Sequence, residues 1–117
     1  PVNQHDRSPH ASVRSALSAL SEALRSMHSA CSGTLFTRTK VCGKPNCSCA
    51  QDVKARHGPY FIWVHREAGR LIHRIISPEQ AQSARRAIAN FRQIRRLLAR
   101  WDRESAKDIV REEDPKP

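Results

Sequence analysis

The stretch KVCGKPNCSCAQDVKARHGPY, residues 40–60, constrains this chain more than any other part of it. Three cysteines fall within eight positions, and a histidine stands directly before Gly58-Pro59. The spacing is Cys42-x4-Cys47-x-Cys49-x7-His57. A structural zinc ion takes four nitrogen or sulfur ligands in a tetrahedron, at about 2.0–2.3 Å. Gly43 and Pro45 let the chain reverse between the first two thiols, and the Cys-x-Cys pair offers two ligands from one turn. His57 closes the set from the start of the next strand. Four protein ligands leave no position for water, which favours a structural ion over a catalytic one. The expectation is therefore structural Zn2+ on Cys42, Cys47, Cys49 and His57. The alternatives are three cysteines with a different fourth ligand, an iron–sulfur cluster, or redox thiols, although no Cys-x-x-Cys pair is present. Cys31 reads either as a substitute ligand or, more simply, as a small buried residue at a helix end. His5, His10, His28, His65 and His73 read as surface or sheet residues, the last two also suited to touching a phosphate or a base.

A chain of 117 residues corresponds to one domain. Residues 1–10 lack apolar periodicity and read as a disordered segment. Residues 106–117 read as a charged tail with two prolines near its end. What remains, residues 11–105, is one small domain with a modest core. Structural zinc supplies on the order of 10 kcal/mol of folding energy, comparable with the ~5–15 kcal/mol that typically holds such a domain together.

The fold class expected is α+β: an N-terminal helix, a three-stranded antiparallel sheet carrying the metal loop, and a long C-terminal helix. Residues 11–30 read as helix with Ser12 as N-cap, His10 or Pro9 being the alternatives that would shift its start. Val13, Leu17, Leu20, Leu24 and Met27 form a heptad seam, backed by Ala16, Ala23 and Ala30. Residues 34–41 (TLFTRTKV) favour a strand, and YFIWVHR and RLIHRII around Glu-Ala-Gly read as a hairpin with Gly69 left-handed. Ser77-Pro78-Glu79-Gln80 has the pattern of a capping box, opening a helix that runs to about Ser105, with residues 106–114 a weak extension through Ile109 and Val110. Its stripe is Ala84, Ala87, Phe91, Ile94, Leu98 and Trp101, broadened by Ile88 and Leu97. The two seams either pack on each other or each pairs with a second copy of the chain, giving a homodimer.

Twenty-one Lys and Arg against eleven Asp and Glu give a net charge of +10, which points to nucleic acid or another anionic partner. Candidate contacts on the sheet are Arg38, Lys40, Arg66, Arg70 and Arg74. Lys44, Lys54 and Arg56 lie on the metal loop, and Arg92, Arg95, Arg96, Arg100 and Arg103 on the last helix. Such residues hold phosphates and position a protein without reading sequence. Phe61 and Trp63 either stack on bases or belong to the core. Alternation separates them from Tyr60, Ile62 and Val64, and both faces are apolar enough to be covered. Catalysis is not expected: Asp52 and Glu67 stand apart, and no nucleophile–base set or phosphate-cradling loop is present. No apolar run reaches the ~20 residues that span a bilayer, and no signal peptide is seen, so a cytoplasmic protein without membrane contact is expected, nucleoid-associated if it binds DNA.

The run CGKPNCSCA, followed by HGPY and a strand–Gly–strand–helix tail, resembles a prokaryotic family of small proteins of unknown function, often encoded near mobile-element genes. The motif residues are Cys42, Gly43, Lys44, Pro45, Cys47, Cys49, His57, Gly58, Pro59 and Tyr60. Where members of that family often carry Gly-Lys at the hairpin turn, this chain has Gly69-Arg70. Residues 60–92 are also similar in element order to the arm-binding domains of phage integrases, which present a three-stranded sheet to DNA. Charge, metal loop and resemblance together lead to one expectation: a zinc-stabilised accessory factor of a mobile element, binding nucleic acid, double-stranded DNA before RNA. The alternative is an adaptor docking a recombinase or transposase, or self-associating, through its helical seams.

Overall fold

Three β-favouring segments pair into a single antiparallel sheet in the order β1-β2-β3, with β1 at Thr34–Lys40, β2 at His57–Glu67 and β3 at Arg70–Ile76. The computed structural model describes residues 10–40, 43–52 and 57–112, with Lys40 and Cys49 described by their backbone alone. Thr34 faces Val64, Phe36 faces Ile62 and Arg38 faces Tyr60, while Ile62 faces Ile75 and Val64 faces His73. Side chains alternate along a strand, so these residues share one face with Arg66 and Leu71. The opposite face carries Leu35, Phe61, Trp63, His65, Glu67, Arg74 and Ile76. Glu67 closes the hairpin against Arg70, which leaves a two-residue turn at Ala68-Gly69. Both turn residues are left-handed, at φ 51° and 82°. That is the mirror-image turn whose twist matches the strands it joins.

Two helices flank the sheet in sequence: α1 at Ala11–Arg25 and α2 at Pro78–Arg111. A single 3-10 turn, Ser48–Ala50, lies between β1 and β2. The chain divides into two compact units, one formed by Ser29–Ala89 and the other by the segments up to His28 and from Asn90.

In the Ser29–Ala89 unit, the first turns of α2 lie on the Trp63 face of the sheet, burying Ala81, Ala84, Ala87 and Ile88. The Cys31 amide donates to the Ala87 carbonyl at 3.2 Å, and Trp63 Nε1 donates to the Ser32 carbonyl at 3.4 Å. The capping box forms as the sequence predicts. The Gln80 amide donates to Ser77 Oγ at 3.0 Å, and the Ser77 amide donates to Gln80 Oε1 at 2.8 Å. Two otherwise orphaned donors are satisfied reciprocally, which fixes where α2 begins.

In the other unit, α1 and the later turns of α2 run antiparallel. His10 pairs with Asp108 at one end, and Arg100 Nη2 donates to Ser15 Oγ at 3.1 Å further along. The boundaries differ from the sequence reading. His10, not Ser12, is the N-cap of α1. The helix stops at Arg25 rather than near residue 30, because Ser26 turns its hydroxyl onto the Ala23 carbonyl at 2.9 Å and its amide onto the same oxygen. The buried line of α1 is Ala16 and Leu20, with Val13, Ala23 and Met27 half-buried, whereas Leu17 and Leu24 are exposed. Of the alanines expected to back the seam, Ala16 and Ala23 are thus at its centre, whereas Ala30 is exposed beyond the end of the helix. On α2, Leu97 turns inward and Leu98 outward. The helix also continues past Ser105 to Arg111, held there by the His10–Asp108 pair and by Lys107–Glu104 at 3.3 Å, one turn apart.

Candidate metal centre and basic surfaces

The described part of the candidate metal loop, residues 43–52, forms two tight turns. The Cys47 amide donates to the Lys44 carbonyl at 3.2 Å, closing a turn over Pro45-Asn46. The Cys47 carbonyl then accepts from Ala50 at 3.2 Å, and Cys47 itself caps the 3-10 turn. This places the backbone of Cys49 within the same turn, two residues on. His57 opens β2 and lies opposite Lys40, beyond an irregularity in the ladder between Arg38 and Lys40. Gly58, immediately after the histidine, has φ 114°. A Cβ there would lie 2.9 Å from the Tyr60 amide nitrogen and 3.0 Å from the Arg38 carbonyl oxygen. The chain passes its neighbours too closely for any side chain, and that passage aims His57 back at the loop.

Cys47 Sγ lies 3.4 Å from His57 Nε2. Two ligands of one tetrahedral zinc, at about 2.3 Å for sulfur and 2.0–2.1 Å for nitrogen, stand about 3.5–3.6 Å apart. The observed separation fits a shared ion with almost no movement. Cys42 and the side chain of Cys49 lie outside the described residues. Among the described residues no group of three or more His, Cys, Asp or Glu comes together. The fit therefore rests on the Cys47–His57 pair and on the donor chemistry of the loop. Cys31 sits elsewhere, in a groove of about 460 Å³ lined also by Trp63, Arg74 and Gln80. Burial pushes its thiol up, opposite to what a thiolate ligand needs. This supports its reading as a packed residue.

The basic candidates fall on several surfaces rather than one. Arg38 and Arg66 share the sheet face opposite α2, where Arg66 Nη1 donates to the Gly69 carbonyl at 3.1 Å. Arg38 lines a groove of about 250 Å³ there with Phe36, Tyr60, Ile62, His73 and Ile75. Arg70 and Arg74 belong to the other face. Arg74 forks onto Glu67 at 3.1–3.3 Å, so an acid that looks isolated in the sequence already holds one proposed phosphate ligand. Glu67 also stands 3.3 Å from Nε2 of buried His65, whose ring stacks on Trp63 with centroids 3.6 Å apart. Lys44 is exposed on the loop. Lys54, Arg56 and the Lys40 side chain lie outside the described residues. On α2, Arg92, Arg96 and Arg103 are exposed at steps of four and seven, which is one helix face. Arg95 reaches instead over the Phe91 ring, at 6.0 Å, and Arg100 is engaged by Ser15.

Sequence reasoning missed which sheet face stays open. Phe36, Leu71 and Ile75 are exposed, Ile75 by 64%, and all three share the Tyr60–Ile62–Val64 face. The capping box was the available signal: it starts a helix after β3 and so covers the face of Ile76.

Fold and site define a class: a small α+β protein with a cysteine–histidine loop inserted between the first two strands of a three-stranded sheet. The chain belongs to a family described as a domain of unknown function, DUF6788, whose model matches residues 11–86. The match spans α1, the sheet with its loop, and the opening turns of α2. No curated protein and no solved structure matches the chain. No helix among the described residues is long and apolar enough to cross a membrane.

Proposed function

We propose that the protein is a nucleic-acid-binding module stiffened by structural zinc. In this reading it serves a mobile element as an accessory factor, with double-stranded DNA as its target. The observation that carries the proposal is the arginine stripe on α2. Arg92, Arg96 and Arg103 share one exposed face and make no hydrogen bond or ion pair among the described residues. Among the acids of the later turns of α2, Glu104 is turned to Lys107 and Asp108 to His10 and Arg111, and Asp102 makes no ion pair with the stripe among the described residues. A row of unneutralised guanidiniums suits a phosphate backbone. The open sheet face adds Arg38 and Arg66, and the likeness to integrase arm-binding domains would set that face toward a DNA groove. Zinc on Cys42, Cys47, Cys49 and His57 would brace the loop that presents Lys44.

Fluorescence anisotropy on duplex and single-stranded probes across a salt series tests this. With about six phosphates contacted, log affinity falls against log salt with a slope near −5 on duplex. Arg92→Ala/Arg96→Ala/Arg103→Ala weakens binding on all sequences alike and flattens the slope by about three. No binding to any probe at low salt removes the proposal. The second reading, an adaptor for a recombinase or transposase, draws on the exposed Phe36, Leu71 and Ile75. Capture of such a partner by a protein that ignores nucleic acid would favour it.

A further inference from the structure

We infer that the protein forms a two-fold dimer in which α2 lies antiparallel against the same helix of a second copy, centred on Leu98. The later turns of α2 carry a second stripe besides the one that faces α1. Arg95, Leu98, Asp102 and Ser105 follow one another at steps of three, four and three, and line an open groove of about 540 Å³ with Ala99 and Trp101. Leu98 is 48% exposed within it, and Ile109 continues the stripe at 65%. Steps of three and four sustained this way are the spacing of a helix–helix seam.

The occupant follows from the order of charges. A parallel copy would set Arg95 against Arg95 and Asp102 against Asp102. An antiparallel copy centred on Leu98 sets Arg95 against the Asp102 of the second chain, twice over, with Leu98 against Leu98 between them. A self-complementary patch of this kind is what a two-fold contact requires. Asp102 has no ion pair among the described residues, so its charge is available. α1 extends the same surface. The Ser15–Arg100 and His10–Asp108 contacts fix the antiparallel register of α1 and α2. That register brings Leu17, 40% exposed, level with the turn of Leu98 and onto the same side of the helix pair. The inference is independent of nucleic-acid binding, which uses the arginine stripe on another face of α2.

Light scattering coupled to size exclusion on the full chain, over a concentration series, tests it. The wild type gives twice the 13.3 kDa chain mass. Arg95→Asp and Asp102→Arg each turn two attractive contacts into two repulsive ones and weaken self-association about tenfold or more. The double variant R95D/D102R restores the pairing with the signs exchanged and recovers the dimer. Circular dichroism on all four proteins confirms equal helicity, so loss of the dimer is not loss of the fold. A wild type that stays at 13.3 kDa overturns the inference, as does a double variant no better associated than the singles.

Discussion

Replacing Gly58 by alanine probes the strut between the metal loop and the sheet. Two costs add. At φ 114° an L-residue sits in a sparsely allowed region, worth on the order of 1–3 kcal/mol. The new Cβ would also lie 2.9 Å from one backbone nitrogen and 3.0 Å from a backbone oxygen of the neighbouring strand. Neither atom can swing away as a flexible side chain could, and such overpacking costs about 1–3 kcal/mol more. The sum, about 2–6 kcal/mol, is a large share of the ~5–15 kcal/mol available to a small domain. Gly69→Ala is the control. It has φ 82° and nothing within 4 Å of its would-be Cβ, so it bears the backbone cost alone, about 1–2 kcal/mol. Thermal melts by circular dichroism, at about 4–8 °C per kcal/mol, place Gly58→Ala well below Gly69→Ala. Because Gly58 aims His57, zinc affinity measured with a chromogenic chelator falls in Gly58→Ala and is unchanged in Gly69→Ala. Two variants with equal melting temperatures and equal zinc affinity would refute the reasoning.

Three smaller perturbations read the same structure. Ser77→Ala removes the acceptor of the Gln80 amide and lowers stability by about 1 kcal/mol in urea unfolding, whereas Ser77→Asp retains the cap. Ala68→Asn raises stability by about 0.5–1 kcal/mol, since Ala68 holds φ 51° and Asn-Gly is the favoured pair for this turn. Cys31, whose thiol burial pushes upward from 9.0, alkylates at pH 8 more slowly in the folded protein than in urea, as peptide mass mapping will show. The sign follows directly. The folded chain keeps this proton where the unfolded chain releases it, so the contribution of Cys31 to stability is present below pH 9 and declines above it.

The parts of the fold legible in the sequence are those set by local chemistry. Ser77, Pro78 and Gln80 specify a helix start by hydrogen bonds they make among themselves. Two β-favouring runs around Ala68-Gly69 specify a hairpin for the same reason. The α+β class follows from these, whereas the pairing of β1 along β2 is set by the fold. What the sequence left open depends on partners distant along the chain. The apolar arc of α1 is wider than one seam, so periodicity alone cannot say whether Leu17 and Leu24 or Ala16 and Ala23 face inward. The small residues do, which leaves the leucines exposed. The two sheet faces are nearly equal in apolar content, and only the path of α2 decides that Trp63 is covered while Phe36 and Ile75 are not. Arg74 illustrates the same point: a cation that looks available in the sequence is bound by Glu67 across the hairpin. In the metal loop, spacing alone suggested a shared ion, and the closeness of Cys47 to His57 fits it. The sequence raised pairing of the seams with a second copy, but the two-fold order of Arg95, Leu98 and Asp102 shows only once the fold tells which side of α2 faces α1 and which is left open.

X-ray absorption at the zinc edge on the zinc-loaded protein tests the central claim most directly. The account predicts three sulfurs at about 2.3 Å and one nitrogen at about 2.0–2.1 Å, with the nitrogen lost in His57→Gln and one sulfur lost in Cys47→Ser. A shell of oxygen and nitrogen alone, or one unchanged in both variants, would contradict it.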